Sequence, residues 1–116
     1  MTTKVIWISF DLGIKGDYEN LYAWLDRHGA RECGDNLAVL AYRFNGKDLL
    51  EALKKDLKRA ITIRNSDRIY VIYLKEGVMK GKFIFGKRKV APWEGYGKYL
   101  TEIDDDMDEL IKELSK

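Results

Sequence analysis

Residues 5–10 read VIWISF, a nearly unbroken apolar, β-rich run that stops at Asp11, just ahead of Gly13. A run of this kind predicts a strand buried on both faces and therefore central in its sheet. Downstream, Asp17 offers an N-cap, and Tyr18, Leu21, Tyr22 and Leu25 recur at helical spacing until His28-Gly29, where glycine suits a left-handed helix end. Residues 30–33, the turn Gly34-Asp35-Asn36 and residues 37–44 (LAVLAYRF) then read as a short strand, a turn and a longer strand. Asn45-Gly46 breaks that strand. Leu49, Leu50, Leu53, Leu57 and Ile61 mark a second amphipathic helix whose other face carries Lys54, Lys55, Lys58 and Arg59. After Asn65-Ser66-Asp67, residues 69–74 (IYVIYL) give another almost wholly apolar strand.

The order is thus βαββαβ, and short connections with right-handed crossovers favour an α+β fold of the ferredoxin-like split βαβ type, strand order 4132, with both helices on one face. Two pieces extend it. Residues 80–86 (KGKFIFG) predict a fifth strand, and Ile103, Met107, Leu110, Ile111 and Leu114 predict a C-terminal amphipathic helix with an acidic outer side. Residues 1–101 are read as one domain carrying the added strand and an aromatic loop, and residues 102–116 as the acidic helix. In a 4132 sheet the IYVIYL strand lies at an edge, where so apolar a strand invites aggregation unless another pairs with it. The fifth strand can cover that edge in its own sheet or in a second copy's, so a homodimer is expected.

Composition bounds the function. The 116 residues, 46% apolar and 34% charged, suit a single folded domain. One cysteine, Cys33, allows no intrachain disulfide. The apolar run near the start is too short for a signal-peptide core or a membrane span, so a cytoplasmic protein with no membrane partner is expected. The net charge of +2 hides a polarity: residues 75–98 hold seven Lys/Arg against two Glu, and residues 102–116 hold seven acidic residues against two lysines. These opposed segments can neutralise each other.

Phe10-Asp11-Leu12 at the end of the first strand, the short helix, the Gly-Ala hairpin, the Leu/Lys helix and Ser66-Asp67-Arg68-Ile69-Tyr70-Val71-Ile72 together resemble the small CRISPR-associated adaptation endonucleases and their SinR-like and VapD-like relatives. The resemblance covers roughly residues 4 to 75. It implies a ferredoxin-like homodimer in which Asp11 faces its symmetry mate, the pair of carboxylates holding a divalent metal in members that are nucleases.

From the residues themselves, Asp11 either caps the Gly13 loop, as Asp commonly does at turns, or supplies an oxygen ligand to Mg²⁺ or Mn²⁺ from a rigid strand end. His28 is the sole histidine and reads as a helix C-terminal residue; Cys33 reads as an ordinary strand residue. Lys80, Lys82, Lys87, Arg88 and Lys89, with Trp93, Tyr96 and Tyr99 nearby, combine phosphate-pairing charge with stacking rings, the footprint of an RNA or DNA surface. The same lysines also suit a protected sheet edge. The glycines match neither P-loop nor dinucleotide-binding spacing, so no nucleotide cofactor is expected. The leading expectation is a non-catalytic homodimer that binds nucleic acid or another macromolecule. The alternative is a metal-dependent endonuclease built on paired Asp11, and a third reading makes the acidic helix a shield for the basic surface or a partner-docking element.

Overall fold

A computed structural model describes the backbone of residues 1–114, and the side chains of all of these except 99–106 and 108. Five strands and three helices follow in the order β1 (Thr2–Asp11), α1 (Tyr18–Arg27), β2 (Arg31–Glu32), β3 (Leu37–Phe44), α2 (Leu49–Ala60), β4 (Arg68–Lys75), β5 (Val78–Phe85) and α3 (Tyr96–Leu114). The strands form one antiparallel sheet, ordered β2-β3-β1-β4-β5. The chain is therefore an α+β domain, and this order is compatible with the arrangement expected from the sequence. β1 is central, and β5 adds to its own sheet by pairing with β4.

Period-two alternation decides which residues reach the core. Ile6, Ile8 and Phe10 of β1 are buried, as are Ala38, Leu40, Tyr42 and Phe44 of β3 and Ile69 and Val71 of β4. Against them pack Leu21, Trp24 and Leu25 from α1 and Leu49, Leu53 and Leu57 from α2, one turn apart on each helix. Burying each such side chain contributes roughly 1.5–3 kcal/mol. Both helices join this one cluster, so they cover one face of the sheet.

Burial of 5–10 on both faces, as read from the sequence, is not what the chain achieves by itself. Val5 is 53% exposed and Ser9 is open to solvent, because no element of the described chain lies over the second face. The same face carries Leu74 and Met79, 49% and 62% exposed, with the half-buried Trp7, Val39 and Ile72.

Side chains fix how the helices enter the fold. Asp17 Oδ1 accepts from Asn20 N (3.4 Å) to cap α1, and Oδ2 accepts from Thr62 N (2.8 Å), tying that helix start to the segment after α2. The Asp48 carboxylate caps α2 by accepting from Glu51 N at 3.1 Å. Asp56 Oδ2 receives Trp24 Nε1–H (3.3 Å) and the Tyr42 hydroxyl (3.0 Å), which joins α1, β3 and α2 at one point. Burial, with the negative charge of Asp56 beside it, pushes the Tyr42 phenol well above its ordinary range. His28 ends α1 as expected, donating through Nδ1 to Trp24 O at 2.8 Å and lying over the Trp24 ring.

Two local expectations shift. Cys33 is exposed and lies in the turn just past β2, whose ladder stops at Glu32. The C-terminal helix begins at Tyr96, six residues earlier than the acidic run suggests, so Tyr96 belongs to it. Ile103 and the acidic residues Asp104, Asp105 and Asp106 lie outside the described side chains.

Candidate basic and aromatic site

The chemistry-bearing residues gather where β1 ends, β4 begins and β5 finishes. Asp11 pairs in register with Arg68, and Tyr70 with Phe83. Alternation sends Ser9, Asp11, Arg68, Tyr70 and Phe83 to the helix-free face, where they line a cavity of about 260 Å³ together with Arg88. Gly86 turns the chain from β5 toward Arg88. Its φ of +76° is one that side chains rarely adopt, and a Cβ there would run into the Asp67 carbonyl oxygen and Arg68.

The Asp11 carboxylate is held from three sides. Arg68 donates to Oδ2 at 3.0 Å, Gly13 N donates to Oδ1 at 3.3 Å, and Lys89 Nζ stands 3.9 Å from Oδ2. The Arg68 hydrogen bond is the main reason that the Asp11 carboxyl lies below its ordinary range; slight desolvation opposes it, while the Gly13 amide and the charges of Arg68 and Lys89 reinforce it. A half-exposed pair like this adds less than about 1 kcal/mol to stability. Its larger effect is positional, because it fixes the guanidinium of Arg68. The turn reading of Asp11 and a charge-pairing role therefore coexist in one residue.

Rings and cations alternate beside it. The guanidinium carbons of Arg68 and Arg88 stand 5.9 Å and 5.7 Å from the Phe83 ring centroid, and Tyr70 meets Phe83 edge to face at 4.8 Å. Gly81 leaves room for this arrangement, since a Cβ at that position would collide with the Tyr70 ring.

Of the residues singled out from the sequence, Asp11, Arg88 and Lys89 come together here. Lys80 and Lys82 pair with Tyr73 and Val71, so they point to the helix side of the sheet, away from Arg88. Lys87 is exposed on the segment after β5, and Trp93 and Tyr96, 73% and 62% exposed, lie outside the cavity at the turn that leads into α3. Sequence reasoning passed over Arg68, Tyr70, Phe83 and Ser9. The signal for them was the alternation of RIYVIYLK, which places Arg68 and Tyr70 on one face and Ile69 and Val71 on the other.

Among the described residues, no three or more His, Cys, Asp or Glu side chains form a group able to hold a metal ion. No helix among them is long and apolar enough to cross a membrane. Compared with known proteins, the chain matches no family model, no curated protein and no solved structure.

Proposed function

We propose that this chain is a ferredoxin-like, homodimeric binding domain that takes nucleic acid at the Arg68–Phe83–Arg88 end of its open sheet face, without catalysing a reaction. The observation that carries this reading is the pair of guanidinium groups flanking one ring, with Tyr70 edge-on beside it, in a cavity open to solvent. Guanidinium groups pair with phosphate oxygens in two-pronged fashion, and aromatic faces stack on unpaired bases whatever the sequence. Lys87 and Lys89 extend the positive field along the same segment.

The dimer is supported by the apolar open face, where Val5, Leu74 and Met79 are about half exposed or more in one chain. A monomer seldom leaves such a face uncovered. Binding is placed ahead of metal-dependent cleavage because Arg68 and Lys89 already neutralise Asp11, and its cavity is otherwise lined by Ser9, Tyr70, Phe83 and the two arginines rather than by further acidic or imidazole groups.

Affinity for labelled single-stranded and duplex RNA and DNA, measured over a salt series with and without Mg²⁺ or Mn²⁺, tests the reading. Wild type should bind with a steep salt dependence, and the Arg88→Ala/Lys89→Ala variant should bind more weakly with a slope shallower by roughly two. Binding that ignores salt, or no binding, would end the proposal. Metal-dependent cleavage lost in Asp11→Ala would replace it with the nuclease reading.

A further inference from the structure

On the opposite side of the sheet, beyond the nucleic-acid end, four lysines from four separate segments converge on one cavity. Lys4 comes from β1, Lys47 from the turn before α2, Lys75 from the end of β4 and Lys82 from β5; Asp48, Leu49, Leu50 and Tyr73 complete a lining of about 420 Å³. Among the described residues none of the four ammonium groups makes an ion pair. The single carboxylate in the wall, that of Asp48, is turned to its own helix, accepting from Glu51 N.

Edge protection accounts for only part of this. β5 is an edge strand, and lysines such as Lys82 are a usual defence against edge-to-edge pairing. Lys4, however, is half-buried on the central strand β1, where no edge needs guarding, and Lys47 belongs to a turn. Like charges brought together across strands repel, so gathering them costs stability unless an anion joins them. The cavity is also bounded by the first residues of α2, whose amide groups add positive potential to that supplied by the lysines. Lys54, beside Glu51, lines the adjoining cavity, which shares Lys82, Asp48 and Leu50.

We infer that this cavity is a binding site for linked phosphate groups, either the chain of a free polyphosphate or the phosphodiester backbone of a nucleic acid. Ammonium groups on flexible stems suit several phosphate oxygens arranged along a chain. The site is separate from the Arg68–Arg88 end and does not depend on it.

Calorimetric titration of the full chain with sodium tripolyphosphate tests the inference, with Lys47→Ala/Lys82→Ala and Arg88→Ala/Lys89→Ala measured alongside. Lys47 and Lys82 are both exposed, and thermal unfolding checks that their variant keeps its fold. Wild type should bind saturably at one site, with affinity about ten-fold weaker in the Lys47/Lys82 variant and within about two-fold of wild type in the Arg88/Lys89 variant. A single-stranded oligonucleotide that displaces tripolyphosphate identifies the phosphodiester backbone as the source; failure to compete identifies a free polyphosphate. No saturable tripolyphosphate binding, or equal binding by wild type and the Lys47/Lys82 variant, overturns the inference. Loss of oligonucleotide affinity in the Arg88/Lys89 variant alone bears on the other site and leaves this one standing.

Discussion

The two faces of this sheet are made from the same strands by the same alternation, yet they meet different fates. On one, Ile6, Ile8, Leu40 and Val71 lie under α1 and α2 and are almost or wholly inaccessible. On the other, Val5 and Leu74 are as apolar but about half exposed, and Asp11, Arg68 and Arg88 form a charged cluster at one end. The first face stabilises the folded chain. The second has apolar area to spare for a partner and charge to spare for a ligand. A single alternating strand can thus serve folding with its even residues and recognition with its odd ones.

Substitutions on the two faces can break this contrast. On the closed face Leu53 is fully buried, and Leu53→Ala should lower the unfolding free energy measured in urea by about 3 kcal/mol. A loss below about 1 kcal/mol would mean that α2 does not seal this face. At the junction between the faces, Gly86→Ala should cost about 2 kcal/mol and also weaken nucleic-acid binding, since the residue turns the chain toward Arg88. Unchanged stability there would show that the turn tolerates a side chain.

Acid sharpens the comparison with a smaller effect. Asp11, on the open face, and Asp17, at the start of α1, both have carboxyls depressed below the ordinary 3.8. For Asp11 the hydrogen bond from Arg68 is the main cause, and for Asp17 it is the one from Thr62 N. A depressed folded-state value means that the unfolded chain binds the proton more tightly. The contribution of each group is therefore fully present well above pH 3.8 and is lost as pH falls through that value to the folded-state one. Urea midpoints taken down this range should fall, and Asp17→Asn should flatten part of the fall; an identical slope in the variant would remove the Thr62 contact from the account.

The smallest stability effect belongs to the open face. Leu74→Glu should change the stability of the single chain by no more than about 0.5 kcal/mol at high dilution, yet abolish the proposed dimer in sedimentation. A variant that sediments like wild type would remove the open face as the interface.

Local patterns in the sequence were enough for the elements themselves. The helical spacing of Leu49, Leu53 and Leu57 gave α2 within a residue of its observed end, and Asp17, read as an N-cap, stands where α1 begins. The α+β class and the fifth strand were legible for the same reason, since apolar period and turn residues act over a few positions. The candidate site was legible only in part. Asp11, Arg88 and Lys89 stood out as charges, but Arg68, Tyr70 and Phe83 read as ordinary strand residues until the pairing of β4 with β1 and β5 set them side by side. Lys82 was grouped with Arg88 because the two are close in the chain; tertiary structure separated them, because Lys82 pairs with Val71 on the helix side of the sheet while Gly86 ends β5 and turns the chain so that Arg88 lies with the open-face residues. It also brought Lys4 and Lys82 to one cavity across most of the chain's length. Sequence by itself determined which segments fold and how each is capped, since those depend on near neighbours. Only the tertiary structure decided which charges share a site, because strand pairing is long-range and a face is defined by residues far apart in the chain.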